Sequence, residues 1–263
     1  MSPEEPAAAR LAALTARMRD HGYAAVAAAV GDPPPAPWRL LADLLDDPEA
    51  LRRAATAHGL SRGYTTGTLD LGVAVGLLSK SLLGGPVSTL VSGWALERWA
   101  PDLRFANLAA HVDDGGAVRT APLVAGELPG GTTLDAVVGA VEELAERSIA
   151  AVRGALRIGT RHLWGNVALQ TRTPFQVLFP AIGPRADRDY EDMAERFGRV
   201  RSLVSDVPTE DRDGRPFHVT LRRTCCLLYK VPGKDYCSTC NLVPAEAAVD
   251  RLVERALARR HGS

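Results

Sequence analysis

Apolar residues recur at helical spacing over most of the chain, and they predict a run of helices interrupted by short extended pieces. Residues 6–20 and 39–59 read as helices on either side of the breaker Asp32-Pro-Pro-Pro-Ala-Pro37. In the second, Leu40, Leu41, Leu44, Leu45, Leu51 and Ala55 form the apolar stripe. After the polar turn Ser61–Gly67, two apolar helices are expected near 69–82 and 87–99, divided by Gly84-Gly85-Pro86. Leu103–Val112 and Ala117–Leu123 flank Asp113-Asp-Gly-Gly116, a good hairpin turn. The clearest helix follows the break at Gly126–Gly131. Thr132 or Thr133 caps it, and Leu134, Val137, Val138, Val141, Leu144, Ile149 and Val152 stripe one face.

The second half predicts a short helix near Thr160–Gln170, then a proline-containing stretch over Thr173–Arg185. A helix over 187–204 turns Met193, Phe197, Val200 and Leu203 inward. Arg215–Leu228 reads as extended, a cysteine loop follows, and Pro244–Arg260 predicts a terminal amphipathic helix. With no regular βαβ alternation, the expected fold is α+β, mostly helical, with a small antiparallel hairpin or sheet and a C-terminal cysteine loop. The expected organisation is a single domain over 1–263. Its N-terminal helical part covers about 1–125, and its C-terminal part, carrying the cysteines, about 126–263.

Composition narrows the function. The 263 residues hold 31 basic and 31 acidic side chains, a formal net charge of +0. That excludes a generally basic nucleic-acid binder. Only Lys80, Lys230 and Lys234 are lysines; the other basic residues are arginine. The start, Met1-Ser-Pro-Glu-Glu-Pro6, lacks the basic and apolar regions of a secretory signal. The most apolar stretch, Leu71–Leu96, is interrupted by Lys80 and Gly84-Gly85-Pro86, so buried helices are expected rather than a transmembrane segment. The expected compartment is the cytoplasm, where clustered thiols stay reduced and bind metal or do redox chemistry. No dinucleotide fingerprint, phosphate-binding loop, H-E-x-x-H or nucleophile elbow is present, which leaves those chemistries without sequence support.

All four cysteines fall within Arg222-Arg-Thr-Cys225-Cys226-Leu-Leu-Tyr-Lys230-Val-Pro-Gly-Lys234-Asp-Tyr-Cys237-Ser-Thr-Cys240. The spacing is C-C-x10-C-x2-C. Four thiolates on such a loop suit a soft or borderline metal centre, and Pro232-Gly233 can turn the chain so that the two cysteine pairs meet. The adjacent pair is unusual. Neighbouring side chains of a strand point to opposite faces, so joint ligation demands a kink at Cys225-Cys226. Structural zinc sites use two spaced hooks, which an adjacent pair fits poorly, whereas an iron–sulfur cluster is also held by four thiolates. Three readings stand at this point: four unrelated buried cysteines, a structural zinc site and an iron–sulfur cluster; the last two leave open a non-enzymatic binding protein with a structural four-cysteine zinc and an iron–sulfur carrier or sensor.

The run from Leu221 to Val243, with all four cysteines, Tyr229, Gly233 and Tyr236, resembles the C-terminal signature of the FhuF-like ferric-siderophore reductases. Leu163-Trp-Gly-Asn166 is similar to a short helical motif upstream in that family. The resemblance implies a [2Fe–2S] cluster held by Cys225, Cys226, Cys237 and Cys240. It also implies an oxidoreductase that reduces siderophore-bound ferric iron by one electron, releasing Fe(II). The expected partners are the ferric siderophore and an electron-donor protein, a ferredoxin or a flavoprotein reductase. Arg222, Arg223, Lys230 and Lys234 lie within a few residues of the cysteines and are candidates for tuning a cluster or attracting an anion.

Other residues carry weaker signals. His162 and Asn166 share a helical face toward a possible polar pocket, with Trp164 read as core and Asn166 as a partner of nearby backbone. Glu142, Glu143 and Glu146 read as a solvated face. His111 and His218 read as ordinary, and Trp38, Trp94 and Trp99 as core.

Overall fold

The computed structural model describes residues 5–20, 25–210 and 216–252. In chain order these form α1 (Ala7–Asp20), β1 (Arg39–Leu40), α2 (Leu41–Asp46), α3 (Pro48–Arg62) and α4 (Leu71–Glu97). Then come β2 (Leu108–Val112), β3 (Val118–Pro122), α5 (Leu134–Ala155), α6 (Thr160–Ile182), α7 (Arg185–Arg196), α8 (Gly198–Arg201), β4 (Val204–Glu210) and β5 (Pro216–Arg222). Residues 245–252 are helical, and the rest of the expected terminal helix lies outside the described residues. The fold is mostly helical α+β, with an antiparallel sheet β1-β2-β3 and a separate antiparallel pair β4-β5.

Local chemistry accounts for several boundaries. The expected helix over 39–59 is divided because Asp47 accepts backbone hydrogen bonds from Glu49 and Ala50, both at 3.0 Å, and Pro48 starts a new helix there. The helix expected after Gly131 forms as α5, with the Thr133 hydroxyl accepting from the Ala136 amide. The Asp113–Gly116 turn joins β2 and β3, paired in the register Ala110↔Thr120.

Two expected breaks do not occur. The stretches near 69–82 and 87–99 are one helix, α4, which passes through Gly84-Gly85-Pro86. Burial overrides the local propensity here. A side chain at Gly85 would meet the Thr120 hydroxyl at 2.9 Å, so the glycine lets β3 lie directly on the helix. The second is α6, which continues through Pro174 to Ile182, where a short helix ending near Gln170 and then a proline-containing stretch were expected. Phe175 and Leu178 beyond the proline are buried at 0% and 2% exposure, and that packing outweighs the few kcal/mol a mid-helix proline costs. The helix expected over 187–204 is instead α7 and α8, parted at Phe197, and the chain becomes a strand at Val204.

The core is built on α4, with Leu78, Leu83 and Leu90 meeting Leu14 of α1, Leu51 of α3, Leu144 of α5 and Phe175 of α6. By length and mean hydropathy (1.3) α4 could cross a membrane, but 78% of its apolar window is buried inside the fold, as in a core helix. Trp94 and Trp99 are core. Trp38 is half-buried, against the ring of His111, because the proline-rich segment before it holds it near the surface.

Candidate metal centre

The β4-β5 pair delivers the cysteines, and α6 fixes that pair in place. Arg172 of α6, 1% exposed, donates to Asp206 of β4 at 2.9 Å and to Asp187 of α7 at 3.2 Å. Gln176 donates to the His218 carbonyl at 2.6 Å, and His218 pairs with Asp187. Beyond β5, the Arg223 amide bonds Leu203, and the Arg222 amide bonds the Thr239 carbonyl at 3.1 Å. The second bond folds the far half of the cysteine loop back onto the strand that begins it.

The kink required at Cys225-Cys226 is present. Leu227 takes a left-handed conformation (φ 63), and its amide donates to the Cys225 Sγ at 3.2 Å. A short 3-10 turn, Leu228–Lys230, then lies on α4. Leu227, Leu228 and Val231 pack with Tyr64, Val73 and Leu77, and the Tyr64 hydroxyl donates to the Lys230 carbonyl. Extended structure thus ends at Arg222, not at Leu228, because the loop turns to bury its apolar side chains on α4. At the other end, the Cys240 amide bonds the Cys237 carbonyl and the Leu242 amide donates to the Cys240 Sγ at 3.4 Å.

The N-terminal turns of α6 meet the strand just before the kink. His162 Nδ1–H donates to the Cys225 carbonyl at 2.9 Å. Asn166 bridges two elements: its amide donates to the Gly76 carbonyl of α4 at 3.1 Å, and its Oδ1 accepts from Arg222 at 2.7 Å. Between them, Gly165 lies against Thr224, where an added Cβ would fall 2.8 Å from the threonine Cβ. Trp164 points away into the core, edge-on to Phe197. Leu163–Asn166 is therefore the surface against which the cysteine strand is set.

All four cysteines are unbridged. Their thiols face one another across the loop, Cys226 interacting with Cys237 and Cys225 more weakly with Cys240. Among the described residues, no three His, Cys, Asp or Glu side chains converge on a point that would hold one ion. The hydrogen bond from Cys226 brings the Cys237 thiol down to about 6, while the same bond and burial push Cys226 up. The first proton of that pair leaves readily and the second is retained. Burial raises Cys225.

Arg222 is 2% exposed, its Nε and Nη1 have no hydrogen-bond partner, and among the described residues it forms no ion pair with a carboxylate. Burial pushes its guanidinium below the ordinary arginine range, and the four thiols, Cys226 foremost, oppose that shift. An isolated buried cation is costly unless an anion compensates it. A metal cluster held by four thiolates is such an anion, so the donor set and the orphaned guanidinium fit the same occupant.

These features define an iron–sulfur domain. Residues 222–240 match the family model of the FhuF 2Fe-2S C-terminal domain, and the cofactor this supports is a [2Fe–2S] cluster. No curated protein matches the chain.

The other candidates separate clearly. Arg222 lies against the thiols, whereas Arg223, Lys230 and Lys234 are exposed. Glu143 and Glu146 make solvated ion pairs with Arg147 and Arg199. His162 and Asn166 support the cysteine strand rather than line a pocket. Lys80, Gly165 and the bridging role of Asn166 were not singled out from the sequence as site residues. A trace of each was present: Lys80 is the one charge in the Leu71–Leu96 run, and Gly165 and Asn166 belong to the Leu163–Asn166 motif.

Proposed function

We propose that the protein is a cytoplasmic one-electron reductase of siderophore-bound ferric iron, with Cys225, Cys226, Cys237 and Cys240 as the ligands of its cluster. The observation that carries this reading is four thiols, set around a buried guanidinium that forms no ion pair with a carboxylate among the described residues, inside the segment that matches the FhuF 2Fe-2S domain.

When bound, a [2Fe–2S] cluster passes single electrons. The protein's residues do the rest. The kink at Leu227 turns the chain directly after the adjacent cysteines, so that both thiols of the first pair reach those of the second. The Leu227 and Leu242 amides donate to sulfurs and Arg222 supplies buried positive charge, and both stabilise added negative charge. Cys237 is half-buried, beside the exposed rings of Tyr229 and Tyr236, so an external chelate can approach within a side chain of the thiols. One electron converts chelated Fe(III) to Fe(II), for which hard oxygen donors have less affinity, and the metal is released. The electron is replaced by a donor protein, a ferredoxin or flavoprotein reductase.

The adjacent Cys225-Cys226 pair and the match to the FhuF 2Fe-2S domain favour this over a structural zinc, which uses two spaced hooks around one ion. The test is ferrous iron release from a ferric siderophore under anaerobic conditions, with a chemical or protein reductant and a ferrous trap. Wild-type protein accelerates release and Cys226→Ser does not. Equal rates with the two proteins would refute the assignment.

A further inference from the structure

Lys80 is unlike any other charged residue of α4. It follows Val73 and Leu77 on one helical face, and those two side chains pack on Leu227, Leu228 and Val231 of the cysteine loop. Among the described residues, no carboxylate or hydrogen-bond acceptor pairs with its ammonium. The carbonyl one turn before it, Gly76, receives the Asn166 amide, and Asn166 in turn holds Arg222. A half-buried lysine in an apolar helix, on the face that packs against the thiol-rich loop and with no counter-ion among the described residues, brings a second cation to that loop from another element.

We propose that Lys80 is a positioning residue that, together with Arg222, holds positive charge against the Cys226–Cys237 side of the centre and so favours its reduced state. The inference rests on the four cysteines being the cluster ligands. Its charge interacts first with Cys226, then with Cys237, among the four thiols, while burial pushes the ammonium below the ordinary lysine range. A four-thiolate cluster is anionic and gains one more negative charge on reduction. A nearby cation stabilises the reduced form more than the oxidised one, and partial burial, which lowers the local dielectric and the salt screening, makes that effect larger than for a fully exposed lysine. Lys230 and Lys234 are nearer in sequence but exposed to solvent. Lys80 is remote in sequence but half-buried, and it exerts the stronger influence.

The test is a potentiometric titration of the anaerobically purified protein, followed by absorbance, for wild type, Lys80→Met, Lys80→Arg and Lys230→Met. A wild-type protein without a bleachable iron–sulfur spectrum would defeat the cluster assignment itself, before Lys80 is in question. With the spectrum present, K80M lowers the reduced-to-oxidised ratio at a fixed solution potential by about tenfold, equivalent to about 59 mV for one electron. K80R stays near wild type, and K230M changes the ratio by less than about twofold. Should K80M fail to hold the cluster while K80R holds it at the wild-type potential, charge at this position is again what the centre requires. Full loading of K80M at the wild-type potential would overturn the proposal. So would equal shifts in K80M and K80R, or loss of the cluster from both, since either result makes the side chain a packing element.

Discussion

Asn166 accepts a 2.7 Å hydrogen bond from the buried Arg222 guanidinium while donating to the Gly76 carbonyl, so one amide joins the central helix to the strand that carries the cysteines. The bond is neutral on the asparagine side. It orients the arginine without cancelling its charge, which stays available to an anionic centre.

Replacing that amide separates orientation from charge. Asn166→Ala leaves a buried charged donor without its acceptor and lowers stability by about 1–3 kcal/mol in chemical denaturation. Asn166→Asp places a carboxylate beside Arg222. It holds the metal-free protein at or above the stability of N166A, yet lowers the reduction potential, because the guanidinium is then already neutralised.

Gly165→Ala puts a methyl into Thr224, one residue before the Cys225-Cys226 pair. Overpacking of this kind costs about 1–3 kcal/mol and reduces iron content per protein. Thr224→Ala removes the hydroxyl and methyl that meet the new group, and the double variant recovers part of both losses.

In the metal-free protein, interaction with the Cys226 thiol brings Cys237 down to about 6, below the ordinary cysteine range. Alkylation of Cys237, followed by peptide mass spectrometry across pH, shows a midpoint near that value. Cys226→Ser removes the thiol partner and moves the midpoint up toward the ordinary cysteine range.

His58 is buried between α3, α4 and the β2-β3 turn; its Nδ1–H donates to the Gly116 carbonyl at 2.7 Å. Burial drives its pKa below the ordinary 6.5, so below pH 6.5 the unfolded chain binds more protons than the folded one. This histidine's contribution is complete above that pH and is lost on acidification, with a slope of at most about 1.4 kcal/mol per unit. Denaturation midpoints measured between pH 7 and 5 show the decline, and His58→Gln flattens it.

The sequence's legibility followed the range of the interactions involved. The cysteine spacing, the Asp113–Gly116 turn and the Thr133 cap are local chemistry, and each was readable from neighbouring letters. The unbroken α4 and α6 were not, because their prolines and glycines signal breaks that only long-range burial overrides. Strand β4 was hidden: Val204–Glu210 contains Asp206 and Pro208, and its existence depends on pairing with β5 and on Arg172 from α6. For Lys80, the charge could be seen but its direction could not, since the loop it faces lies about 150 positions further along the chain.

The most direct measurement is a single turnover. Protein reduced with dithionite, freed of excess reductant and mixed anaerobically with a ferric siderophore is followed by absorbance, with a ferrous trap present. The account predicts that the oxidised iron–sulfur spectrum returns as one trapped Fe(II) forms per cluster. A centre that stays reduced in the presence of the chelate, while still reoxidising with ferricyanide, would contradict it.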